Sequence, residues 1–115
     1  MHDSTNPEFD METSGDTVLF RPKGEIDLSV APALRTHLRE AADRTKRRLI
    51  VDLTDVPYMD SSGVATLVEA LQLTRRSGKQ LLLCNLHEKV QSIFEIARLD
   101  AVFTIVATVD DARAR

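Results

Sequence analysis

Leu49-Ile50-Val51-Asp52-Leu53, then Tyr58-Met59-Asp60-Ser61-Ser62-Gly63, then Val64-Ala65-Thr66-Leu67-Val68 with Leu71 beyond, is the stretch that decides the fold. Its first part is an apolar run of strand length. Its last part places Val64, Leu67, Val68 and Leu71 at i, i+3, i+4 and i+7, one face of a helix. A strand running into an amphipathic helix is the half-unit of an α/β protein. Asp60-Ser61-Ser62-Gly63 occupies the junction, where first-turn N–H groups lack intrahelical partners and the helix dipole is positive. A cap at such a position contributes about 1 kcal/mol, and one cap serves one helix. Three cap-competent residues in a row exceed that need, and the glycine after them costs about 1 kcal/mol inside a helix. A serine hydroxyl displayed there is suited to carry a phosphate. Gly63 suits a backbone that something approaches closely.

Upstream, Glu8–Glu12 alternates as a short, half-buried edge strand would, and Ser14-Gly15-Asp16 signals a turn. Thr17–Arg21 reads as a second strand, Pro22-Lys23-Gly24 interrupts it, and Glu25-Ile26-Asp27-Leu28 extends again. From Val30 the period changes. Val30, Leu34, Leu38 and Ala41 share a helical face, with Ser29 as the candidate N-cap and Pro32 in the first turn. Downstream, the central helix runs to Ser77 and stops at Gly78. Gln80–Cys84 is the next strand. Asn85 and Glu88 have capping-box spacing, ahead of a helix carrying Val90, Ile93, Phe94 and Ala97 inward. Val102–Val106 closes the strands, and Asp110–Arg115 reads as a short terminal helix.

This pattern predicts a loose segment 1–7 and one α/β domain over 8–115. Its sheet is mixed but mostly parallel, with four to five strands and three to four helices packed on it. Glu25–Ser29, Tyr58–Ser62 and Asn85–His87 then converge at the edge where strand C-termini run into helix N-termini, the place where α/β proteins meet ligands and partners.

Composition narrows the function classes. Aromatics make up 4% with no Trp, so the core is aliphatic and no platform exists for stacking single-stranded nucleic acid. Net charge is −3, and the one basic cluster, Arg44–Arg48, reads as solvated surface at a helix-to-strand turn. The single cysteine, Cys84, excludes an intramolecular disulfide and a cysteine-rich metal site, and packs as a small hydrophobe. The polar, acidic N-terminus has no apolar signal region, and no apolar run reaches the ~20 residues of a transmembrane helix. A soluble, cytoplasmic chain without membrane insertion is expected.

On these residues the chain resembles the STAS domain family, and most closely its anti-sigma factor antagonists. Gly24-Glu25-Ile26-Asp27 looks like the segment after the family's early strand. Leu49–Leu53 followed by Tyr58-Met59-Asp60-Ser61-Ser62-Gly63-Val64 looks like its strand and Asp-Ser-Ser-Gly signature. Gly78-Lys79, Leu81–Cys84, Val90, Ile93 and Phe94 look like its next strand and helix. The likeness spans about residues 9 to 107. It implies a regulatory binding module, without catalysis, cofactor or metal, whose partner is an anti-sigma factor that doubles as a serine kinase. Phosphorylation ends the complex, and a PP2C-type phosphatase restores it. By position the acceptor is Ser61, and the partner-binding residues are Asp27, Ser29, Asp60, Ser61, Ser62 and Gly63.

Rival readings fare unequally. A hydrolase built on Ser61, His87 and Asp60 lacks the G-x-S-x-G elbow, and adjacent residues make poor members of a triad. A phosphoaspartate receiver needs clustered carboxylates and a late-strand Lys, whereas Asp52 lies within a strand and Ile105-Val106-Ala107 holds no Lys. Nucleotide binding finds no P-loop. The alternative left open is a STAS subunit of a lipid or anion transporter, or of a stress-signalling complex, docked on an ATPase or membrane subunit.

Overall fold

Residues 9–115 are described by a computed structural model; the segment 1–7 expected to be loose, and Glu8, lie outside the described residues. The chain begins with a hairpin, β1 (Phe9–Ser14) antiparallel to β2 (Thr17–Pro22), closed by Gly15-Asp16. Gly15 takes φ +62°, which a two-residue turn of this kind requires of its first residue. Then follow α1 (Ala31–Arg44), β3 (Arg48–Asp52), α2 (Ser61–Arg76), β4 (Gln80–Cys84) and α3 (Glu88–Ile96). A 3₁₀ turn at Leu99–Ala101, β5 (Thr104–Val106) and α4 (Val109–Arg113) complete the chain.

The strands lie in the order β1-β2-β3-β4-β5, and every pair after the hairpin is parallel. Right-handed crossovers that step always in one direction must place their helices on one face of the sheet. Alternation along the strands matches this. Val18, Phe20, Leu49, Val51, Leu81 and Leu83 join Leu34, Leu38, Leu67, Leu71, Val90 and Phe94 in the main core. The opposite set, Leu19, Ile50, Leu82 and Cys84, is sealed with Ala112 of α4. With both faces covered, strands β3 and β4 read as near-continuous apolar runs. Cys84 behaves as expected, fully buried, and burial pushes its thiol pKa up to about 12. A five-stranded mixed sheet with four helices is the fold the sequence predicts.

Several local expectations are overturned. Glu25–Leu28 is not a strand; it makes only the isolated parallel bridge Ile26–Met59, with a second, Lys23–Asp55, just before it. Ser29 is not the N-cap of α1. Val30 holds that position, because Asp27 takes the N–H groups of Ser29 and Val30 and the Ser29 hydroxyl as well. Asn85 caps nothing. Its φ is +57° and its side-chain amide is drawn back to Asp52, so α3 starts from His87 without a side-chain cap. Ala97 is exposed at the end of α3. Val102 precedes β5 rather than opening it, while Phe103 turns inward, edge-on to Phe94 with ring centroids 5.3 Å apart. In the basic cluster, Arg48 is buried and donates to the Thr17 hydroxyl at 3.2 Å.

Candidate functional site

Three turns at the strand C-terminal edge are built by one device, a carboxylate that accepts from the backbone N–H and the hydroxyl of the residue two ahead. Asp27 Oδ1 takes Ser29 N at 3.0 Å and Ser29 Oγ at 2.6 Å. Asp52 Oδ1 takes Thr54 N at 3.0 Å and Thr54 Oγ1 at 2.5 Å. Asp60 Oδ1 takes Ser62 N at 2.9 Å and Ser62 Oγ at 2.5 Å. In each, the second residue of Asp-x-Ser/Thr is left out of the bonding. Leu53 turns into the core, whereas Leu28 and Ser61 are exposed.

The first and third turns are laced together. Ile26 N donates to Tyr58 O and Asp60 N to Ile26 O, both at 3.0 Å, around the parallel bridge Ile26–Met59. That register sets Asp27 beside Asp60, close enough that the Asp27 charge works to raise the Asp60 carboxyl pKa. Hydrogen bonds from Ser62 and Ser29 nevertheless hold the Asp60 and Asp27 carboxyls below the usual carboxylate range, so both are anionic at neutral pH.

Asp60 is the N-cap of α2, and Ser61 and Ser62 are its first two residues. The two hydroxyls differ. Ser62 Oγ is committed to Asp60 and its side chain is half-buried. Ser61 is exposed, and its hydroxyl makes no hydrogen bond to any described residue. Gly63 is buried, and the group that approaches it comes from inside the chain. A Cβ there would lie 2.8 Å from Ile26 Cγ2 and 3.2 Å from Met59 Cβ. The glycine lets the laced turns close over the first turn of α2. Gly63→Ala is therefore expected to cost about 1 kcal/mol net, since overpacking of about 1–3 kcal/mol outweighs a helix-propensity gain of up to about 1. A chemical denaturation midpoint at or above wild type would contradict it.

Asp27, a candidate partner contact whose residue type also suits the approach to a helix, holds the start of α1. Asp27→Ala is expected to lower the melting temperature by about 4–6 °C. Asp27→Asn keeps the accepting oxygen, loses the charge, and melts near wild type. Thermal melts of the pair separate capping from charge.

The second turn belongs to a network the sequence does not announce. Asp52, at the end of β3, also accepts Arg21 Nε and Asn85 Nδ2, each at 3.0 Å. The His87 ring nitrogen Nε2 lies 2.5 Å from Thr54 O, and Ser61 is not among its partners, so Ser61, His87 and Asp60 do not form a relay. Thr54, Asn85, Leu86, His87, Gln91 and the end of β5 line an open groove of about 610 Å³ beside this network. Ser61 lines neither this groove nor the smaller hollows beside Arg21 and beside Glu69. The strand order never reverses, so the fold has no switch-point crevice at that edge. Among the described residues, no cation pairs with Glu25, Asp27, Asp55 or Asp60, and no cluster fit to hold a metal occurs. No helix is long and apolar enough to cross a membrane.

The chain thus presents an α/β sheet whose strand C-terminal edge is acidic and displays an exposed serine at a helix N-terminus. The chain belongs to the STAS domain family, of the anti-sigma factor antagonist type; residues 8–112 match the STAS domain. It is 32% identical over 102 residues to the anti-sigma-B factor antagonist of Bacillus subtilis, covering 89% of this chain and 93% of that one. The fold is shared with an anti-sigma factor antagonist from Mycobacterium paratuberculosis (TM-score 0.80, 23% identity, 96% of each chain). It is also shared with the Bacillus cell fate determinant SpoIIAA in its phosphorylated form (TM-score 0.70, 23% identity, 93% of this chain and 99% of that one).

Proposed function

We propose that this chain is a cytoplasmic anti-sigma factor antagonist, a non-catalytic module that binds an anti-sigma factor with serine kinase activity and is released when that kinase phosphorylates Ser61. The carrying observation is the inequality of the two signature serines: Ser62 is locked to Asp60, while Ser61 is exposed and unengaged at the first position of α2. The names of its relatives, and a structural neighbour described in a phosphorylated form, support the same reading.

The physics supports a switch that works without refolding. A phosphoserine brings about −1.5 to −2 charges, and the positive end of α2 tolerates them. The cost falls on the interface, where the new charge stands beside Asp60 and Asp27. Like-charge juxtaposition across an interface costs several kcal/mol, and each 1.4 kcal/mol is tenfold in affinity. A PP2C-type phosphatase would reset the switch.

Phosphopeptide mass spectrometry of the protein from its own cells, with identification of what co-purifies, tests the proposal. A phosphate on Ser61 and a serine-kinase anti-sigma factor are expected. An unmodified Ser61 together with a transporter ATPase as the bound protein would replace the proposal with the transporter-subunit reading.

A further inference from the structure

Of the four large apolar side chains exposed among the described residues, two stand on the Ser61 edge: Leu28, 75% exposed, and Tyr58, 42% exposed. A leucine at a turn tip has no role in making the turn, whose chemistry is supplied by Asp27 and Ser29. It is also held unusually firmly. Five hydrogen bonds converge on Asp27, three on Oδ1 from Ser29 N, Ser29 Oγ and Val30 N, and two on its carbonyl from Val30 N and Ala31 N. The side chain is therefore raised from a backbone that needs no further ordering on binding, which removes part of the cost of association.

Its position is tied to Ser61. The bridge Ile26–Met59 is parallel, so two residues on, Leu28 corresponds to Ser61, each the middle residue of its Asp-x-Ser turn. Around them Glu25, Asp27, Asp55 and Asp60 carry charge that no described cation neutralises. An isolated apolar knob on an acidic rim fits a partner surface with the converse layout, an apolar pocket ringed by Lys or Arg.

Resting on the antagonist reading above, we infer that Leu28 is the specificity-determining anchor of the docking surface: it seats in an apolar, cation-rimmed pocket of the anti-sigma factor and thereby brings Ser61 to the kinase centre. Tyr58 flanks the same contact. Burying one such side chain is worth roughly ten- to a hundredfold in affinity.

Calorimetry against the purified serine-kinase anti-sigma factor, with wild type, Leu28→Ala, Leu28→Met and Ser61→Asp, tests this. Leu28→Ala is expected to bind at least about tenfold more weakly, and Leu28→Met within about threefold. All should melt near wild type, because the side chain supports nothing in the fold. As a kinase substrate, Leu28→Ala should show a raised KM with kcat retained. If Leu28→Ala binds within threefold of wild type while Ser61→Asp does not bind, the anchor is wrong and the antagonist reading survives. If wild type does not bind, or Ser61→Asp binds as tightly as wild type, the antagonist reading falls and the anchor falls with it.

Discussion

Ser61→Asp is expected to weaken the complex with the anti-sigma factor at least about 100-fold, while Ser61→Ala stays within about threefold of wild type. The contrast follows from where the hydroxyl sits. It makes no bond to the described chain, so its removal costs the fold nothing and the interface only a small polar contact. A carboxylate in its place adds a third anion to Asp60 and Asp27, both ionised at neutral pH, on a surface that must be desolvated to bind. Within the free protein the same charge faces the first turn of α2, where anions are favoured, so the melting temperature should hold or rise slightly. Calorimetry with both variants, alongside thermal melts, reads the two effects separately. Equal affinities for Ser61→Asp and Ser61→Ala would remove the switch from the account.

Asp52→Ala is expected to destabilise the fold by about 3 kcal/mol, lowering the melting temperature by roughly 10 °C or more. The carboxylate is buried, with 4% of its side chain exposed, and it ties β2, β3 and the turn after β4 through Arg21, Thr54 and Asn85. Truncation leaves the Asn85 amide without its acceptor and frees the loop that His87 contacts. Burial pushes the Asp52 carboxyl up, but hydrogen bonds from Thr54, Asn85 and Arg21 outweigh it and hold the folded-state pKa below the usual carboxylate value. A group depressed in the folded state stabilises fully above its unfolded value, near about 4, and loses that contribution as pH falls through the folded value. The stability gap between wild type and Asp52→Ala should therefore narrow between pH 7 and pH 3. Denaturant titrations at the two pH values measure it, and a gap that stays constant or widens would contradict this role.

Much of the architecture was legible because it rests on periodicity. The strand at 17–21, the apolar runs at 49–53 and 80–84, and the helical faces beginning at Val30 and Val64 all reappear as elements within a residue or two. Local capping was less legible, since several residues near each helix start could do the job and long-range partners decide among them. Asn85 had the right spacing for a cap, but Asp52, 33 positions earlier, claims its amide. Ser29 had the right identity, but Asp27 takes its hydroxyl. The Asp52 network joins residues 31 and 33 apart, and no local pattern marks it. Gly63 is a point of close approach, and the neighbour is Ile26 of the same chain. The exposure of Ser61 was expected from its place at a helix start. The commitment of Ser62 to Asp60, which distinguishes the two serines, is set by the turn geometry and not by residue type.

In the turns at Asp27 and Asp60 the aspartate binds the residue two ahead, so the exposed side chain of the middle position closes neither turn. At the solvent-facing pair, occupied here by Leu28 and Ser61, a lineage of duplicated copies could exchange one group to redirect pairing and keep the other for control. Such paralogues could diverge in whom they recognise without renegotiating their thermodynamic viability, insulating neighbouring circuits from crosstalk.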